Sequence, residues 1–185
     1  MTFLRSLVAR IVEWFRRLWC RIVCFFIGTK PIYEPDRWND PFQAGYDYGR
    51  QGDNNCYNYA CNKATDSFAQ PGYAGTGVLN HTMACSPVSS GAQADGLLTR
   101  ADGAQAAERC CHTVALVVWP GADYHWYRLD SDGMWSHKPG RTAARNTDNS
   151  QQPIASPELA DRGPYTEFCG YFTVCRCEVR IDGPY

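Results

Sequence analysis

The sequence predicts an α+β protein, with a helical first half packed on an antiparallel β-sheet. Three observations predict it. An apolar stripe at helical spacing fills residues 3–27, a capped helix opens at Cys56, and β-branched or alternating stretches take over from Thr113 onward. A length of 185 residues suits one domain with a full core.

In the first stretch Leu4, Leu7, Val8, Ile11, Val12, Phe15, Leu18, Trp19, Ile22, Val23 and Phe26 share one face of a helical wheel. Ser6, Arg10, Glu13, Arg16, Arg17, Cys20, Arg21 and Cys24 take the other. Gly28 and Pro31 end it. Its last uncharged run, Ile22 to Thr29, falls far short of the ~20 residues a bilayer span requires. Arginines interrupt the apolar stretch and no small-residue cleavage site follows, so it does not read as a standard signal peptide. The chain thus divides into an amphipathic helix, 1–28, and a domain, 29–185. The helix is expected to pack its apolar face on the domain; membrane-surface contact or docking to a carrier or partner are the alternatives.

Pro31, Tyr33, Pro35, Trp38, Pro41, Phe42, Tyr46 and Tyr48 mark residues 29–55 as an ordered connector, since a disordered linker would lack these aromatics. Next comes Asp53-Asn54-Asn55-Cys56-Tyr57-Asn58. Asn54 or Asn55 is the expected cap, because an Asn side chain accepts hydrogen bonds from the first free N–H groups of a helix. Cys56 then lies in the first turn, at the positive end of the helix dipole, where a thiol pKa is expected to fall. This helix is expected to run to about Thr65. Residues 66–91 read as irregular, and a helix is expected over about 92–108, with Asp95 and Gly96 as weak points.

Thr113 to Trp119 reads as a buried strand. Asp123 to Asp130 and Met134 to Lys138 read as a hairpin around Ser131-Asp132-Gly133. A three-residue loop with a left-handed glycine at its third position sets Tyr127 opposite His137 and Leu129 opposite Trp135. His125, two residues from Tyr127, then shares a sheet face with His137 as a diagonal neighbour. A two-residue turn would separate them. Residues 139–165 read as a long surface loop, and a last strand is expected from about Phe168 to Val179.

Net charge is −1 and the pI about 6.4, so no global basic field points to nucleic acid. The 10 cysteines are many for a reducing compartment and allow several disulfides. Cys175 and Cys177 require separate partners. There is no Cys-x-x-Cys pair, and Cys110-Cys111-His112 is poorly spaced for tetrahedral ligation, so no metal or other cofactor is expected.

Cys56 at a helix start, His125 on a strand and His137 on the next strand supply a nucleophile, a base and a group that fixes the base's tautomer. In this order and spacing the chain resembles papain-like cysteine hydrolases of the NlpC type. The matching segments are Cys56, His125-Trp126-Tyr127-Arg128-Leu129, Asp132-Gly133 and Trp135-Ser136-His137. They depart from that family in having Asn55 before the cysteine and Tyr57-Asn58 after it. The resemblance implies a papain-like fold and a cysteine hydrolase that cleaves an amide bond in peptidoglycan peptides. Cys56, His125 and His137 would be catalytic, with Asp148 as an alternative third member and Gln51 or Asn54 as oxyanion donors. A bacterial antagonistic effector, close to TseH-like type VI effectors, is implied in turn. Its partners would be a secretion carrier and an immunity protein, and it would act in the periplasm of a target bacterium. A protease acting on host or target proteins, or a catalytically silent binding module, are the other readings.

Overall fold

Five antiparallel strands, ordered β1-β5-β2-β3-β4, form the frame of the molecule. A computed structural model describes residues 2–28, 30–40 and 49–184. In chain order the helices are α1 (Thr2–Ile27), a 3-10 turn (Pro35–Arg37), α2 (Gly49–Asp53), α3 (Cys56–Ala60), α4 (Tyr73–Thr76) and α5 (Cys85–Ala94). The strands are β1 (Leu98–Arg100), β2 (Cys111–Trp119), β3 (Asp123–Leu129), β4 (Trp135–His137) and β5 (Glu167–Cys175). The mixed α+β class is therefore as expected. Of the connector residues, Pro41, Phe42, Tyr46 and Tyr48 lie outside the described residues.

The hairpin has the predicted register: Tyr127 faces His137 and Leu129 faces Trp135. Gly133 takes the left-handed conformation at φ 85° that a three-residue loop requires. The sheet buries both faces. Val114, Leu116, Val118, Trp126 and Phe172 pack under α3 and α5, against Tyr57, Ala60, Val88 and Ala92. Ala115, Val117, Tyr127, Leu129 and Trp135 pack under the 139–165 loop, which contributes Ile154. The connector wraps the body through Trp38, whose buried ring lies 5.1 Å from that of Tyr59.

Several boundaries differ from expectation. The Cys56 helix stops at Ala60, where Asn62 turns left-handed at φ 52°. The helix expected over 92–108 occupies Cys85–Ala94 instead. Pro87 is tolerated there because the first turn has no intrahelical N–H bonds to lose. Asp95 then caps the end and Gly96, at φ 100°, turns the chain into β1. The last strand ends at Cys175, four residues early.

Four disulfides join Cys20–Cys177, Cys24–Cys110, Cys85–Cys169 and Cys111–Cys175. Cys111 and Cys175 are direct partners across β2 and β5. Cys169 is the extra residue of a bulge between Leu116 and Val117, and this irregularity lets it leave the ladder for Cys85 on α5. Cys56 and Cys61 remain free and buried.

The expectation for α1 is reversed. Its cysteine-bearing face turns inward. Cys20 and Cys24 are disulfide-bonded to the body, Arg17 and Arg21 pair with Glu178, and Arg180 pairs with Glu13. The apolar face therefore points out, with Trp19 at 68% and Phe26 at 71% exposure. No helix among the described residues is long and apolar enough to cross a membrane.

Candidate functional site

The centre of the candidate site is a pair of buried histidines. His125 on β3 and His137 on β4 are diagonal neighbours, and Nε2 of His125 lies 2.8 Å from Nδ1 of His137. Nε2 of His137 is 3.0 Å from the Thr147 carbonyl. A bond to that oxygen requires the proton on Nε2, with Nδ1 accepting from His125. Arg145 Nε donates to the same Nε2 at 3.0 Å, a bond that requires the other tautomer, with Nδ1 donating to His125, and its charge opposes protonation of the ring. Tyr127 stacks on His137 with ring centroids 4.9 Å apart, and Tyr165 packs 5.5 Å from His125. The Tyr165 hydroxyl donates to Asp123 at 2.7 Å.

Cys56 opens α3. Asn55 is its cap: the side-chain oxygen accepts from the N–H groups of Tyr57 and Asn58, and Asn58 returns the bond to the Asn55 N–H. Asn54 instead braces a loop, donating to Asp66 Oδ1 at 2.7 Å and accepting from the N–H groups of Thr65 and Asp66. Cys56 packs in the core cluster on the helix-covered face, and the Trp126 N–H is its backbone donor. Burial pushes its thiol up to about 12, reinforced by Asp123. The lowered pKa expected from position alone is thus overturned, because a helix of five residues has too small a dipole to offset removal of a thiolate from water.

The remaining candidates are dispersed. Asp148 accepts from the N–H groups of Gln152 and Asp161, both at 2.9 Å, and so shapes its own loop. Gln51 donates from Nε2 to the Arg141 carbonyl at 3.3 Å. Sequence reasoning missed Lys138. Its ammonium is buried and donates to the carbonyls of Gln51, Asn54 and Gly140, tying α2 and the residue before the α3 cap to the end of β4. Burial lowers its pKa to about 8. Its position after His137 was the available signal, since alternation along β4 sends it to the face opposite His137. Tyr165 comes from the long loop and had no such signal.

His112, on β2, is also buried, and its Nε2 lies 2.7 Å from the Ala60 carbonyl. His81 is exposed. Burial lowers the pKa of His112 to about 3, that of His137 to about 4 and that of His125 well below the ordinary 6.5. The unfolded chain takes up these protons near 6.5 and the folded chain resists them. This contribution to stability is therefore intact above pH 6.5 and drains away as pH falls toward the folded values. Melting temperature should hold steady from about pH 8 to 7 and drop steeply between about 6 and 4. A flat profile across that window would show that the rings are not held neutral.

Comparison with known proteins decides the family. Insoluble matrix shell protein 1 of Ruditapes philippinarum is 49% identical over 143 residues, which is 77% of this chain and 88% of that protein. The chain belongs to the insoluble matrix shell protein 1 family. No family model and no solved structure matches it.

Membership of the insoluble matrix shell protein 1 family overturns the reading drawn from the NlpC-type hydrolases. The relative is a shell matrix protein by name. The amide-cleaving enzyme, the TseH-like type VI effector and its antibacterial role are accordingly set aside. So are the peptidoglycan or protein substrate, the secretion carrier, the immunity protein and the membrane-surface contact. The periplasm of a target bacterium is no longer the expected compartment. The order Cys, His, His is short enough for unrelated chains to share, whereas near-half identity over 143 residues is not.

Proposed function

We propose that the chain is a structural protein of an extracellular, mineralised shell matrix. The observation that carries this is the 49% identity with insoluble matrix shell protein 1 over most of both chains. Four disulfides fit the reading, because they form and persist outside the reducing cytosol. A structural part also suits a chain whose free thiols are buried. In this reading 29–185 is a papain-like scaffold, with α3 laid on β3 and β4, and 1–28 is an appended helix. His125 and His137 then serve as a buried hydrogen-bonded pair, Cys56 as part of the core on the helix-covered face, and Asp148, Gln51 and Asn54 as braces of their loops.

The test is location. Peptides of the chain should be found by mass spectrometry in the demineralised, detergent-insoluble residue of the shell of the organism that makes it. An antibody against the domain should stain that matrix. Peptides confined to soluble cell extract would reject the proposal.

A further inference from the structure

Between α1 and the body lies an open cleft of about 870 Å³. Among the described residues Arg16, Lys30, Arg37, Arg50, Lys63 and Arg176 line it, with Glu34 as the carboxylate. Among the described lining residues six are cationic and one is acidic. The near-neutral whole thus conceals a strongly basic concavity.

Arg16 is already paired with Glu13 at 2.9 Å. Glu34 reaches Arg37 only at 3.9 Å, with both side chains about half exposed. Lys63 donates to the Val179 carbonyl at 2.6 Å and Lys30 to the Ala106 carbonyl. Neutral acceptors satisfy a proton but leave the charge in place. Arg50 donates to the Arg37 carbonyl at 3.4 Å, while its enclosed Nε has no partner among the described residues. Burial lowers the pKa of Lys63, and Arg16, Arg176 and Arg180 add to the effect by repulsion.

We propose that this cleft binds a segment of acidic polypeptide through its carboxylates. Its volume lies in the range of about 300–1,000 Å³ typical of sites for extended organic ligands, far beyond the size of one inorganic anion. Four of the six cations are guanidinium groups, whose planar fork matches a carboxylate. The chain displays that match at the rim, where Arg16 holds Glu13 with two bonds of 2.9 Å. Pro31, Ile32 and Ala64 are apolar members of the lining, suited to a peptide's methylene groups. The proposal stands on the charge and shape of the cleft, so it is separable from the matrix role.

The test uses the full, disulfide-bonded chain and a fluorescent oligo-aspartate, followed by anisotropy. Saturable binding that weakens with added salt is expected. Arg37→Glu with Arg176→Glu, both at exposed positions, should lower affinity on the order of tenfold or more. Arg162→Glu, on the distant 139–165 loop, should change it little. Absence of saturable binding, or a double variant that binds like the Arg162→Glu control, overturns the proposal. Competition with dextran sulfate and with inorganic phosphate distinguishes the other anions. If either displaces oligo-aspartate at far lower charge concentration, the site is not selective for carboxylates and the acidic-peptide assignment fails.

Discussion

Replacing Arg128 with alanine is expected to bring the protein to the edge of unfolding at room temperature. Arg128 and Asp130 form an ion pair of 2.8 Å, with side chains only 1% and 2% exposed. The guanidinium also donates to the Ile32 carbonyl and the Tyr59 hydroxyl, both at 3.0 Å, and lies 4.0 Å above the Tyr59 ring. Ser136 donates to the second oxygen of Asp130 and is 2.7 Å from the Tyr59 hydroxyl. One cation therefore joins the connector, α3, β3 and β4. Removing it strands a buried carboxylate, which costs about 3–5 kcal/mol out of a total stability of about 5–15 kcal/mol. Combining Arg128→Met with Asp130→Asn should recover much of that loss, because no isolated charge remains. Urea unfolding of the single and double variants measures both. A single variant within about 1 kcal/mol of wild type would mean that the pair is solvated in solution.

Full reduction is the second large effect. Each disulfide of this loop size contributes about 2–4 kcal/mol, and a chain of this length loses about 2–4 °C per kcal/mol. Melting should therefore fall by tens of degrees in excess reductant, and the reduced chain should be unfolded or molten near body temperature. Thiol titration in denaturant should count two groups before reduction and ten after it. A melting temperature that moves by less than about 5 °C would show that packing alone holds the fold.

What the sequence revealed and what it hid have separate physical causes. The hairpin register was legible once the three-residue loop ending at Gly133 was chosen over a two-residue turn, because the turn fixes which residues face each other. The Asn55 cap was legible because few residues can satisfy the first N–H groups of a helix. The extent of α1 was legible, but its orientation was not. Amphipathic spacing groups residues on a face without saying which face looks inward. Cys20 and Cys24, both on the polar side, were the overlooked signal, since a bonded cysteine must face its partner. The helix placed over 92–108 ran through Asp95-Gly96, the weak points at which the observed helix ends. Position at a helix start was readable for Cys56, but burial was not, and burial controls its thiol. The pairing of His125 with His137 followed from the register. Lys138 and Arg128 escaped notice because a buried cation depends on carbonyls and carboxylates contributed by distant segments.

The arrangement of the four disulfides has a consequence for wear. Cys20–Cys177 closes a ring around nearly the whole chain, and the other three bonds lie within it. A cut at any peptide bond from Cys24 to Cys175 is therefore bridged by at least two covalent links. A protease that opens the 139–165 loop makes a nick and frees no fragment. Where proteins are laid down once and never renewed, damage to this one would accumulate as silent breaks, visible only when the sulfurs are reduced.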